Sequence, residues 1–262
     1  MSEQHWLLGV EELAVALGIV GGEEVAGGLL TAILGPRSHE EMEGRMLAAG
    51  HSLLARGLLT IAGEEKHLDG DFAAALLPLA EQRFSVRCSR AEAQGEELAT
   101  YFVGPAGVSE HRLRRAVMSE LTLLPAAEEA ALRSAGFFGL KAARRRAFGE
   151  SLATLTTAAL GQARTQAAAE GQAAAAASLV AAGVPAAIAQ EVAEDMAAPR
   201  FHGSVLRVEQ REQGPASDRG FLMLQGAERL WLCDMLPGQP PQLALYRGDG
   251  ATYTALFAHL FS

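Results

Sequence analysis

Residues 73–88 read AAALLPLAEQRFSVRC and place an alanine-rich helical segment directly before a segment of alternating apolar and polar residues. Residues 192–205, VAEDMAAPRFHGSV, repeat this order, and Arg200-Phe201 stands where Arg83-Phe84 stands in the first copy. Alternation with a period of two is typical of a half-buried strand, whereas the alanine-rich part favours a helix. The two segments therefore predict that a helix-to-strand unit occurs twice in the chain.

The residues that follow the two segments also correspond. Each copy continues with several strand-like stretches and ends at a short helix, predicted at 128–135 in the first copy and at 251–260 in the second. We therefore expect an α+β fold with two halves, 38–137 and 180–262, that form a pseudo-two-fold repeat of helix, antiparallel strands and helix. A helical insert, 138–180, separates them within a single domain of 262 residues. The alternative is a chance similarity of two common helix-to-strand segments.

Helices and strands are predicted from the spacing of apolar residues and from capping residues. Ser38 begins a helix with a capping box, and Asp69 or Asp71 precedes a second helix. The glycines of 18–28 predict a loop, and the middle of the chain, 141–196, is predicted to be helical almost throughout. The predicted strands are 84–89, 98–103, one within 111–124, 203–210, 219–225, 228–234 and 242–247, with a turn at 217–220.

The composition favours a globular, acidic protein. Apolar residues make up 49% of the chain and charged residues 20%, and the net charge is −9. Nucleic acid and anionic lipid repel such a protein unless its basic residues are concentrated on one face. Two basic clusters, 111–115 and 144–146, are either phosphate- or partner-binding patches or ordinary solvated surface. We expect no nucleic-acid partner and no membrane partner.

The N-terminus and the lengths of the apolar segments indicate a cytoplasmic protein. Residues 1–6 lack the basic start and apolar stretch of a signal peptide, and no segment is long and apolar enough to span a bilayer. Cys88 and Cys233 each lie in a strand-like run without a neighbouring Cys or His at ligand spacing. They are expected to be buried thiols, with a single disulfide as the alternative.

A search for catalytic, cofactor or metal motifs returns none that is complete. The glycines near the N-terminus lack the spacing of a phosphate-binding loop. His39 begins a segment that resembles a zinc-protease helix, but Glu43 occupies the position of the second histidine. The segment 67–71 has two acids and a glycine and lacks the other ligands of a calcium loop. We therefore expect a non-enzymatic protein without cofactor or metal, and an enzyme with an unrecognised site is an alternative.

The order of elements in 40–90 allows a second interpretation. Helix, loop, helix and two strands is the order of a winged-helix DNA-binding domain. The helix that would enter the groove, 71–82, offers only Asp71, Glu81 and Gln82 among alanines and leucines. A winged-helix-like nucleic-acid-binding regulator is therefore an alternative, but this helix is composed to be buried.

Three stretches carry a resemblance to a known family. They are LLARGLL at 53–59 with 68–80 and the strand at Phe84, then AAGV at 181–184 with AAPR at 197–200, and finally RGDG at 247–250 before the last helix. In these stretches, and in length and element order, the chain resembles the EspG family, the cytosolic chaperones of the type VII (ESX) secretion system. The resemblance implies a pseudo-two-fold α+β fold. It also implies capture of a secreted helical heterodimer of the PE–PPE type, whose aggregation-prone tip is kept soluble for export.

The chain departs from the family in its compact glycine-rich N-terminus and its very alanine-rich insert. These departures leave a PE–PPE pair and a small WXG-type helical protein as alternative partners. No binding residue of the family falls on a matching motif here, so none is transferred. On physical grounds, a protein that shields an apolar helix tip needs an exposed apolar groove. We predict that Phe221, Met223, Trp231 and Tyr246 line it, and the alternative is that they fill the core.

Overall fold

The computed structural model describes residues 4–114, 117–141, 143, 149–211 and 214–261. Over these residues the chain forms twelve strands and nine helices. The strands are β1 (His5–Gly9), β2 (Leu59–Ala62), β3 (Glu65–Leu68), β4 (Phe84–Glu92), β5 (Gly95–Gly104), β6 (Gly107–Arg114), β7 (Met118–Leu124), β8 (Ala153–Thr156), β9 (Phe201–Arg211), β10 (Gly214–Gln225), β11 (Leu230–Leu236) and β12 (Gln242–Gly248). The helices are α1 (Val10–Ile19), α2 (Glu23–Leu34), α3 (His39–Ala55), α4 (Gly70–Ala80), α5 (Ala127–Phe137), α6 (Thr157–Ala169), α7 (Gln172–Ala181), α8 (Ala186–Ala197) and α9 (Gly250–His259).

The predicted α+β class is confirmed, since ten of the strands form a large antiparallel sheet alongside the helices, and β2 and β3 form a separate hairpin. The order helix, four strands, helix occurs twice along the chain, as α4, β4–β7, α5 and as α8, β9–β12, α9. A spatial symmetry between the two copies stays a prediction, as do the limits of the two halves. The chain divides into two compact units, Met1–Ser85 with Ala99–Ala130 and Val86–Leu98 with Ala131–Ser262.

In the first unit, helices pack on strands in the order β1, β7, β6, β5. Asp69 accepts a hydrogen bond from the Phe72 amide at 3.1 Å and so begins α4 where the sequence predicted. Ser38 does the same for α3 through the Glu41 amide. The apolar side of α4, with Phe72 and Leu76 fully buried, packs with α1 in the core.

In the second unit, the strands follow the order β4, β9, β10, β11, β12, β8. Successive side chains of a strand point to opposite faces of the sheet. One face of β10–β12 packs against the small side chains of α6, α7 and α8 around Trp231 and Leu243. On the other face Phe221 contacts Tyr253 of α9, with ring centroids 5.4 Å apart. Both faces are therefore part of the core, with different helices on each side.

The structure corrects three predictions made from glycines and periodicity. The predicted loop 18–28 ends early, because α2 begins at Glu23 and its Ala26 is buried in the core. The segment 217–220 is not a hairpin turn but lies within β10, where the pairing with β9 shifts between Ala216 and Arg219. The single strand expected within 111–124 is a pair, β6 and β7, which are neighbours in the sheet.

The region 141–196 is also less helical than predicted. The edge strand β8 interrupts it, and Leu155 of β8 is buried opposite Leu243 of β12. The basic cluster 144–146 lies outside the described residues. In the other basic cluster, β6 ends at Arg114, and Arg115 is likewise not described. Cys88 and Cys233 are buried thiols, as predicted.

Candidate protein-binding surface

The four residues predicted to contact a partner lie on two faces of the sheet. Phe221, Met223 and Tyr246 share the face that α9 covers, whereas Trp231 points to the face covered by α6–α8, as the pairing of β10 with β11 and β11 with β12 requires. Phe221, Met223 and Trp231 are at most 3% exposed, and Tyr246 is half-buried. In the isolated chain the first three are core residues, and a role for any of the four in partner contact stays a prediction.

Trp231 belongs to a buried polar network that joins α8 to β11. Its Nε1 donates a hydrogen bond to the Asp195 carboxylate at 2.7 Å, and Arg229 Nε donates to the same carboxylate oxygen at 2.7 Å. The hydrogen bonds that Arg229 donates to Asp195 and to Glu194 raise the pKa of Arg229. Arg247, which is paired with Glu191, lies over the Trp231 ring with its Cζ 5.1 Å from the ring centroid. The network holds α8 in position, and no pattern in the sequence predicted these contacts.

An open cleft of about 800 Å³ lies at one end of β10 and β11. We name it the C-terminal cleft. Its walls are the irregular part of β10, the end of β11 with the following loop, and the end of α9, and its lining residues include Ser217, Arg219, Asp234, Met235, Leu236, His259 and Leu260. Gly220 is one of its lining residues, and β9 lies close beside it, since a Cβ at Gly220 would lie 2.4 Å from the Val205 carbonyl oxygen. The irregular backbone that was predicted as a turn thus helps to form this cleft.

Asp234 gives the C-terminal cleft a titratable group beside two of the predicted residues. It lies opposite Phe221 in the β10–β11 pairing. Burial raises the pKa of Asp234, and the charge of His259 partly opposes this shift. Burial and the Asp234 charge together raise the pKa of Tyr246. The cleft and the half-buried Tyr246 therefore belong to one electrostatic environment.

The lining of the C-terminal cleft mixes apolar and polar side chains. Leu236 is half-buried on the same face of β11 as Asp234, whereas Ser217, Asp218 and Arg219 are exposed. An apolar floor with a polar rim is the composition expected of a surface that receives another protein. In the sequence, Asp234 interrupts the apolar run LWLCDML at this place.

The described part of the chain gives no arrangement for metal chemistry. Within it, no three His, Cys, Asp or Glu side chains come together in a way that could hold a metal ion. Among the helices that the structure describes, none is both long and apolar enough to cross a bilayer. The apolar side of α4 lies in the core, so the helix of the winged-helix alternative has the buried character that its composition predicted.

Fold and surface together define an α+β protein whose candidate site is a mixed apolar and polar cleft. No family model and no curated protein matches the sequence. Among solved structures, the chain is similar to the Mycobacterium tuberculosis type VII secretion system chaperone EspG5, determined in complex with the PE25–PPE41 dimer. The TM-score is 0.70 at 10% sequence identity, and the match covers 98% of this chain and 96% of EspG5. The chain therefore has an EspG-like fold.

Proposed function

We propose that this protein is a non-enzymatic chaperone or adaptor that binds a helical protein partner and keeps it soluble. The observation that carries the proposal is the similarity of fold to EspG5 over nearly the whole of both chains, since EspG5 was solved with a bound PE25–PPE41 dimer. A fold shared end to end preserves the scaffold on which a binding surface is built, although function depends on the surface itself. The partner proposed is a secreted PE–PPE pair or a small WXG-like helical protein, met in the cytoplasm before export.

The C-terminal cleft is the proposed docking surface for the tip of the partner. Leu236 supplies apolar contact, while Arg219 and Asp218 at the rim supply polar contact that fixes orientation. Tyr246 extends the surface along β12, because its phenol is half-buried and electrostatically linked to Asp234. An amphipathic helix that places its apolar residues in such a cleft would bury them from water.

Affinity purification of the tagged full chain from its native host, followed by mass spectrometry, tests the proposal. We expect one small helical protein to co-purify in stoichiometric amount and to be insoluble when it is expressed alone. Recovery of the chain as a solitary monomer would count against the proposal. Recovery of a partner that is equally soluble alone would support binding but reject the chaperone role.

A further inference from the structure

A second cavity lies on the opposite face of the same strands from the C-terminal cleft. It is an apolar slot of about 100 Å³ between α6, α8 and the strands β9–β12. We name it the α8 slot. Its apolar lining includes Leu160, Val192, Met196, Leu222 and Trp231. Leu160, Met196 and Leu222 are half-buried, so the slot opens to the surface and is not a sealed void.

Two basic side chains lie at the α8 slot. Arg164 of α6 and His202 of β9 both line it. Arg164 is exposed, and within the part of the chain that the structure describes it forms no ion pair. Burial first, and then the charge of Arg164, lower the pKa of His202. At neutral pH the slot therefore presents one fixed positive charge and one neutral imidazole beside an apolar interior.

We propose that the α8 slot binds a small apolar carboxylic acid, with its hydrocarbon part inside and its carboxylate on Arg164. The volume suits a short member of this class: a dry apolar cavity of roughly 150 Å³ holds benzene, so a slot of about 100 Å³ takes a chain of about four carbons. A guanidinium recognises a carboxylate through paired N–H donors, and His202 can donate one more hydrogen bond. The charge at the opening is the feature that selects an acid over a neutral molecule of equal size.

The bound acid would be held reversibly. Cys233 also lines the α8 slot, but burial raises the pKa of its thiol to about 12, so the thiolate needed for covalent chemistry is not formed at neutral pH. Trp231 lines the slot as well and reports on its contents by fluorescence. The other tryptophan, Trp6, contacts Phe72 in the first unit. In a Trp6→Phe chain, Trp231 is therefore the single tryptophan, and it lies at the site.

Titration of the Trp6→Phe full chain with pentanoate, and with pentanamide as the neutral isostere, tests the proposal. Pentanoate is expected to change the Trp231 emission in a saturable manner and to bind more tightly than pentanamide. Arg164→Gln is expected to weaken pentanoate binding by about threefold to fivefold and to leave pentanamide binding unchanged. Arg87→Gln, on an exposed arginine of β4 that does not line the slot, is the matched control.

Leu222→Phe tests the position of the hydrocarbon part, because the larger ring fills the slot from a half-buried site. It is expected to abolish both titrations, whereas Val180→Phe on the exposed surface of α7 leaves them intact. Met196→Phe serves as the second filling variant if Leu222→Phe fails to fold by circular dichroism. Absence of saturable binding, or binding that both filling variants leave unchanged, would overturn the proposal. Equal affinity for acid and amide would overturn the role of Arg164.

Discussion

The buried carboxylate of Asp195 accepts hydrogen bonds from two residues, one in the β10–β11 connection and one in β11. The side chain is 3% exposed and accepts hydrogen bonds from Trp231 and Arg229. Its neighbour Glu194 is exposed and reaches only Arg229. Loss of the buried carboxylate leaves an indole N–H without its acceptor and a guanidinium with only its exposed partner, and the cost of such losses is much greater than that of a surface ion pair.

Asp195→Ala is accordingly expected to lower the free energy of unfolding by about 3 kcal/mol. Glu194→Ala, which removes a partner of the same arginine at the surface, is expected to cost less than about 1 kcal/mol. Urea denaturation followed by circular dichroism measures both variants. Equal losses of unfolding free energy in the two variants would show that the buried Asp195 carboxylate contributes no more to stability than the exposed Glu194.

His111 gives the protein a dependence of stability on pH. Burial lowers its pKa to about 4, and its ring nitrogen lies 3.0 Å from Ser119 Oγ. The unfolded chain binds the proton near pH 6.5 and the folded chain only near pH 4, so unfolding takes up a proton between these values. The stability contributed by this residue is present above pH 6.5 and is lost as the pH falls towards 4.

We expect the free energy of unfolding to fall by up to about 3 kcal/mol between pH 7 and pH 4 on account of His111. The measurement is a series of urea titrations at fixed ionic strength over this range. His111→Gln removes the titrating group and should flatten the profile between pH 6.5 and 5, where carboxylates titrate little. A profile that is equally steep in the variant would assign the effect to other groups.

At the level of elements, β1 illustrates how an edge strand is protected. The Leu7 carbonyl oxygen accepts a hydrogen bond from Arg56 at 2.9 Å, and the Gly9 amide donates to Glu12 Oε2 at 2.7 Å. Arg56 and Glu12 are themselves paired at 3.0 Å. Unpaired groups of an edge strand are templates for association with another chain, and Leu7 is 50% exposed.

Arg56→Ala should therefore promote self-association through β1. Light scattering coupled to size-exclusion chromatography at increasing protein concentration measures it, with growth of dimers or larger species as the expected result. Arg45→Ala is the control, because Arg45 lies on α3, which ends just before Arg56, and pairs with Glu11 and Glu41 without touching the β1 backbone. If the two variants behave alike, the edge is not what Arg56 protects.

Elements held by contacts between residues close in sequence were predicted correctly, and elements held by distant residues were missed. The starts of α3 and α4 were predicted correctly, because the caps at Ser38 and Asp69 are made within three residues. The short strand β8 was missed, because it is held by β12, far along the chain. The start of α2 was missed because glycines have a low helix propensity. Packing of α2 against other helices outweighs this preference, and such tertiary contacts cannot be read from the local sequence.

For the whole molecule, the α+β class and the repeated order of helix, several strands and helix followed from the sequence, because apolar periodicity distinguishes helices from strands. Which residues form the candidate surface could not be predicted from the sequence. Trp231 and Tyr246 have opposite parity in the β11–β12 pairing, so they cannot share a face, and this register is a property of strand pairing. The C-terminal cleft likewise combines β10, β11 and α9, which only the fold brings together.

The proposed docking surface leads to a prediction for the intact protein. Leu236→Asp places a charge in the C-terminal cleft, where an apolar partner residue would have to desolvate it, so we expect partner affinity to fall at least about tenfold. Leu47→Asp, at a 62% exposed position of α3, is the matched control. Isothermal titration calorimetry with the co-purifying partner measures both. A loss with Leu47→Asp and none with Leu236→Asp would move the binding surface away from the cleft.

The most direct test of the chaperone role is the soluble fraction of the partner, expressed with and without this chain and measured by centrifugation and gel densitometry. The proposal predicts that the helical partner is largely insoluble alone and that co-expression moves it into the soluble fraction as a stoichiometric complex with this protein. A partner that is equally soluble in both cases, or that stays insoluble beside an abundant soluble chain, would contradict the proposal.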